Sequence, residues 1–155
     1  MYLPFLVLHS VLRWLVLLAG VLAVSRALAG LLGRRPWTPT DDRSGRLFVI
    51  SIDVQTLIGL VLYGVLSPIT KGAFEDMAVA MRDATLRFWA VEHVVMMLAA
   101  LVLAHVGRAR SSGGAAPDLV RHRRAAIFFT IALVVIFVAL PWPWAREARP
   151  LFPFR

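Results

Sequence analysis

Residues 87–108 read RFWAVEHVVMMLAALVLAHVGR, an apolar run of about 20 residues between two arginines. At about 1.5 Å of rise per residue, a helix of this length crosses a bilayer core of about 30 Å. The run nevertheless contains Glu92, His93 and His105. Ionisable side chains are costly inside a membrane, so they usually face a protein interior and pair there. We therefore predict that this span carries the function and that the rest of the chain packs around it.

The whole chain has the composition of an integral membrane protein. Of its 155 residues, 59% are hydrophobic and 17% are charged, and the mean hydropathy is +0.75. These values lie outside the range of a soluble domain of this size. Four apolar runs are long enough to span a bilayer, at residues 3–32, 47–66, 86–106 and 125–144. The sequence therefore predicts an all-α fold, one membrane four-helix bundle over residues 1–155.

Most of the basic residues lie in two of the three loops between the predicted spans. The first and third loops contain arginines at positions 34, 35, 43, 46, 108, 110, 121, 123 and 124. The second loop is close to neutral, because Lys71 and Arg82 are balanced by acidic residues. By the positive-inside rule, the first and third loops are cytoplasmic and both termini are on the periplasmic side. The net charge of +8 then indicates topology and contact with anionic membrane lipids, and no nucleic-acid partner is expected.

Two histidines on different predicted spans lie at one depth. Counted from the predicted span ends, His9 lies about 9 Å and His93 about 10.5 Å below the outer surface. Two imidazoles at one depth on separate helices of a bundle are what axial ligation of a b-type haem iron requires. Because the chain has no cysteine, covalent c-type attachment is excluded. We therefore predict one haem b at most, with His9 and His93 as its ligands.

The charged neighbours of these histidines suit a haem. Arg13 stands four residues after His9 on the same helix face and can neutralise a propionate, and Arg87 is a second candidate. Ser10 or Glu92 could accept the second ring N–H of an imidazole and so fix its tautomer. Alternatively, Glu92 and Arg13 pair with each other, and the cluster only joins two helices.

A second haem is not expected at the inner depth of His105, because no other span supplies a histidine there. We expect His105 to bond a carbonyl, Asp53 or a lipid headgroup. A charged Asp53 side chain inside a bilayer costs free energy unless it is paired or protonated. A structural pair of Asp53 with Arg26 or His105 is favoured over a proton relay.

Several motifs resemble those of one family. They are His9-Ser-Val-Leu-Arg13-Trp14, Asp53-Val-Gln55, Leu57-Ile-Gly59, Leu86-Arg-Phe-Trp-Ala-Val-Glu92-His93 and Ala104-His105-Val-Gly107-Arg108. In these motifs, nearly the whole chain resembles small bacterial four-helix integral membrane proteins labelled cytochrome-b-like. The resemblance implies haem, with His9 and His93 as ligands, and a multi-pass protein of the bacterial inner membrane. The paired histidines on each of two helices of two-haem cytochrome b are missing, so mechanisms of quinol oxidation do not carry over.

These features favour a membrane electron carrier that accepts single electrons from a periplasmic protein or a quinone. The competing hypothesis is a cofactor-free accessory subunit of a larger respiratory or photosynthetic membrane complex. It is favoured by the small size, the nearly featureless last span and the proline- and aromatic-rich tail over residues 140–155. In that case other membrane subunits, or further copies in a homo-oligomer, are the partners, and the tail docks on them or lies along the surface.

A third hypothesis is transport of copper or another small ion past Met96, Met97, His93 and Asp53. An enzyme is the least favoured class. The sequence contains no nucleophile with an adjacent base, no phosphate-binding loop and no soluble domain to hold a substrate.

Overall fold

The computed structural model describes residues 1–144, which form helices joined by short loops, without a strand. The α-helices are α1 (Tyr2–Leu32), α2 (Pro39–Val61), α3 (Pro68–Glu75), α4 (Met77–Arg82), α5 (Ala84–Arg87), α6 (His93–Ser111) and α7 (Asp118–Ala139). Two π-helical segments, π1 (Leu62–Leu66) and π2 (Phe88–Glu92), continue α2 and precede α6. The predictions for the tail beyond Trp144 lie outside the described residues.

Four continuous helices are long and apolar enough to cross a membrane: Tyr2–Leu32, Pro39–Leu66, Ala84–Ser111 and Asp118–Ala139. They are called the first to fourth spans below. The prediction of an all-helical fold with four spans is confirmed, and these helices indicate a multi-pass membrane protein.

The second and fourth spans begin before the apolar runs that predicted them. The side chain of Thr38 accepts a hydrogen bond from the Asp41 N–H, and the Asp41 carboxylate accepts one from the Thr38 N–H at 2.8 Å. This reciprocal cap, followed by Pro39, begins α2 at residue 39 rather than at residue 47. The fourth span begins at Asp118, after Pro117, and ends at Ala139.

The order of packing places the first and third spans at opposite corners of the bundle. Helix α1 packs against α2 and α7, and α6 packs against the same two helices. The shared core consists largely of alanines, which let the helices approach closely, and Phe48 and Phe129 meet edge to face there at 5.6 Å. Side chains of α1 and α6 that point inward therefore face each other across the centre.

The segment between the second and third spans folds over one end of the bundle. Ala73 of α3, Ala80 of α4 and Ala90 of π2 form a small buried cluster. The segment from Phe74 to Met81 thus belongs to short helices packed on π2. Met77 and Met81 are exposed on them.

Candidate functional site

A cleft opens at the end of the bundle where the first span begins and the fourth ends. The space between its walls, including its open side, is about 1140 Å³. All four spans contribute to the walls, which are mainly aliphatic and aromatic. The polar members of the lining are Tyr2, His9, Ser10, Arg13, Gln55, Thr56, Tyr63, Ser67, Thr70, Trp89 and His93. The structure thus brings together His9, His93 and Arg13, three of the five predicted site residues.

His93 is held by a backbone carbonyl of the fourth span. Its Nδ1 lies 2.9 Å from the carbonyl oxygen of Ala139. A carbonyl oxygen only accepts, so the neutral ring carries its proton on Nδ1 and keeps its lone pair on Nε2. The acceptor predicted from the sequence was Ser10 or Glu92; the Ala139 carbonyl takes that place. The rings of Phe88 and Trp89 flank the imidazole at 5.7 and 5.5 Å between centroids.

The turn of α1 that carries His9 is held by α2. The Gln55 side chain donates a hydrogen bond of 2.9 Å to the His9 backbone carbonyl. One turn later, Gly59 lies against the imidazole: a Cβ atom there would be 3.0 Å from the Cε1 atom of His9. The structure therefore adds Gln55 and Gly59 to the site. Their four-residue spacing, which puts them on one helix face, is the sequence signal for this pair.

Arg13 places a positive charge in the cleft wall one helical turn from His9. The side chain is buried, and its guanidinium carbon lies 5.6 Å from the centroid of the Trp14 ring. Met97, on the third span, lines the same cleft. The cleft therefore combines apolar walls with one cationic group beside two imidazoles.

Arg87 and Glu92 are not among the residues that line the cleft. They form an ion pair of 2.7 Å with each other, and Arg87 also donates to the Met81 carbonyl. Glu92 is thus engaged by Arg87 and not by Arg13. The reason is local: in π2 the His93 N–H bonds to the Phe88 carbonyl, five residues back, which displaces the faces expected from a regular α-helix.

The two π-helical segments are tied together at the cleft. The Tyr63 hydroxyl of π1 donates to the Ala90 carbonyl of π2 at 2.7 Å. Thr70 in turn donates to the Tyr63 carbonyl at 2.7 Å. Such segments are rare and frequently occur at functional sites. No pattern in the sequence predicted either one.

Asp53 and His105 lie away from the cleft, toward the other end of the bundle. The Nε2 atom of His105 is 2.7 Å from an Asp53 carboxylate oxygen, and both side chains are partly exposed. The prediction that Asp53 pairs with one of two named partners is confirmed, with His105 as the partner. Arg26, the other candidate, pairs instead with Asp41 at 2.9 Å.

No family model, curated protein or solved structure matches this chain. Its function is therefore inferred from the cleft itself.

Proposed function

We propose that this chain binds one b-type haem between His9 and His93 and transfers single electrons, in the manner of the cytochrome-b-like four-helix proteins that it resembles. The observation that supports this most is that imidazoles from diagonally opposed spans line one cleft. Bis-histidine ligation needs one imidazole on each side of the metal. When bound, the haem supplies one-electron exchange between its ferric and ferrous states.

The residues of the cleft fit such a group. The hydrogen bond to Ala139 leaves the ligating lone pair of His93 on Nε2 and makes that nitrogen more basic. Gly59 leaves the space that the His9 ring needs. Arg13 would neutralise a propionate.

The surrounding side chains prepare this site for electron transfer. Apolar walls exclude water from the ligands and lower the local dielectric constant, which is one determinant of reduction potential. Phe88 and Trp89 on one side and Ala139 on another restrict rotation of the His93 ring.

The location follows from the charge distribution. The arginines of the first and third loops lie at the end of the bundle opposite the cleft. With those loops in the cytoplasm of a bacterial cell, both termini and the cleft are on the periplasmic side of the inner membrane. The electron donor is then a periplasmic protein or a quinone.

A reduced-minus-oxidised absorption spectrum of the purified protein tests the proposal. We expect the α band of a b-type haem, and its loss in His9→Ala and in His93→Ala. His105→Ala is the matched control, because His105 lies outside the cleft, and it should keep the band. A wild-type protein without the band, even after incubation with haemin, would exclude haem binding.

A cofactor-free accessory subunit is the second candidate, and the Asp53–His105 pair favours it. The pair is partly exposed beside the exposed aliphatic side chains of Leu57 and Val102. Ionisable groups at membrane depth usually face protein, so a partner subunit or a second copy would cover this face. Co-purification of a larger complex without pigment from native membranes would support this role over the first.

A further inference from the structure

A second, smaller cavity lies at the other end of the bundle, where the loop between α1 and α2 meets the start of α7. The space between its walls, including its open side, is about 370 Å³. The walls are formed by Arg26, Arg35, Pro36, Thr38, Asp41 and His122. The electron-transfer function proposed above makes no use of this cavity.

Three buried nitrogen atoms at this place have no hydrogen-bond partner within residues 1–144. They are Nδ1 and Nε2 of His122, which lines the cavity, and Nε1 of Trp37, which neighbours His122 but is not a lining residue. His122 is only 1% exposed, and its ring lies 4.8 Å from the Trp37 ring. Buried polar groups without a partner are rare in native proteins and indicate a bound water, ion or ligand. An indole N–H only donates, and a neutral imidazole donates from one nitrogen, so the two rings offer two donors.

Packing holds both rings where they are. A Cβ atom on Gly30 would lie 2.1 Å from Cε1 of His122, so the imidazole rests directly on the backbone of α1. The guanidinium carbon of Arg121 lies 4.6 Å from the centroid of the Trp37 ring. Neither ring can turn toward another partner without disturbing this packing. The missing hydrogen-bond acceptor must therefore be a bound group.

The charges around the cavity favour an anion as that acceptor. Asp41 is neutralised by Arg26, which bonds its carboxylate at 2.9 Å. Arg35 is exposed, and its Nε bonds only the uncharged Ala29 carbonyl, at 3.3 Å. Arg121, stacked on Trp37, is partly balanced by Asp118 at 4.0 Å, so the unbalanced positive charge at the cavity is that of Arg35.

We propose that this cavity binds a phosphate group, with Arg35 supplying charge and His122 donating a hydrogen bond. The unprotonated oxygens of a phosphate group accept hydrogen bonds and carry negative charge, which matches a donor next to a guanidinium group. Two sources have this chemistry, namely the headgroup of a membrane phospholipid and free phosphate. The site would anchor the first loop to the start of α7.

Thermal unfolding of the delipidated protein in detergent tests the site. One arm adds inorganic phosphate, with chloride at equal ionic strength as its control. The other adds phosphatidylglycerol to the micelles, with diacylglycerol, which has the same tails and no phosphate, as its control. At ten times the dissociation constant, the wild-type Tm should rise by about 4 °C. Arg35→Gln and His122→Phe should lose this rise, whereas Arg43→Gln, an equal loss of charge at an exposed position, should keep it.

Each outcome decides between the sources or against the site. A rise with inorganic phosphate identifies the free anion, and a rise with phosphatidylglycerol alone identifies the lipid headgroup. No rise in either arm, or an equal rise in Arg35→Gln, would mean that the cavity holds only water. If His122→Phe does not fold, Arg35→Gln, a change at an exposed lining position, decides the comparison on its own. Haem content does not enter this measurement, so its result is independent of the electron-transfer proposal.

Discussion

At the scale of single residues, the position of His9 depends on a residue that has no side chain. Gly59 lies one turn beyond Gln55 on α2 and faces the imidazole, where a Cβ atom would be 3.0 Å from Cε1 and 3.6 Å from Nδ1. Few real Cβ atoms approach a neighbour so closely. The ring therefore occupies space that only glycine leaves open at this point of the helix.

Gly59→Val should displace the His9 ring and lower haem affinity by about 10- to 100-fold, the range observed when groups that orient a metal ligand are changed. Titration of the purified apoprotein with haemin, followed by absorbance, measures the affinity. Gly64→Val is the matched control, because nothing lies within 4 Å of a Cβ at that position. Equal affinities of the two variants would show that the ring position does not matter.

The same scale shows which contacts the sequence could predict. The Asp53–His105 pair was predictable, because two ionisable side chains in apolar runs have few partners at the same depth. The hydrogen bond between His93 and the Ala139 carbonyl could not be predicted. Every residue has a backbone carbonyl, and only the tertiary packing determines which carbonyl lies next to the His93 ring. The pairing of Arg87 with Glu92 was missed because the two residues are five positions apart. Residues at this spacing lie on the same helix face only when a π-helical turn lies between them.

At the scale of the elements, hydropathy predicted the four spans but not where their helices begin. Leu47 is the first residue of an apolar run, whereas α2 begins at Pro39. The start is determined by hydrogen bonding, because the first N–H groups of a helix need acceptors that the helix itself does not supply. Thr38 and Asp41 provide them, and Asp41 also binds Arg26 of α1. The cap therefore joins two spans as well as beginning one.

Thr38→Ala should lower the free energy of unfolding by about 1 kcal/mol, the usual cost of removing a helix N-cap. The loss should be larger than for an isolated cap, because the Thr38 hydroxyl also donates to the Asp41 carboxylate. Reversible unfolding in mixed detergent and dodecyl sulfate micelles provides the measurement. Thr40→Ala, two residues on at an exposed position, removes the same hydroxyl and should change stability little. A loss as large in Thr40→Ala would assign the effect to composition and not to the cap.

At the scale of the whole molecule, the two ends of the bundle differ in chemistry. One end has the cleft with two imidazoles, with Thr70 of α3 in its wall. The other end has the arginine-rich loops and the His122 cavity. Consecutive spans cross the membrane in opposite directions. Once the side of one loop is known, the sides of both ends of the bundle are therefore known. The sides of the membrane on which the cleft, the proposed electron donor and the proposed phosphate site lie therefore follow from one orientation of the chain.

Orientation can be measured directly, because the chain contains no cysteine and a single introduced thiol reports one loop. Lys71→Cys lies on α3 at the cleft end, and Ala115→Cys lies in the loop between α6 and α7; both positions are exposed. With the arginines in the cytoplasm, a membrane-impermeant maleimide added to intact cells should label Lys71→Cys and spare Ala115→Cys until the cells are opened. The reverse pattern would place the cleft on the cytoplasmic side. A periplasmic protein could not then reach it, and the electron donor would have to be a quinone or a cytoplasmic protein.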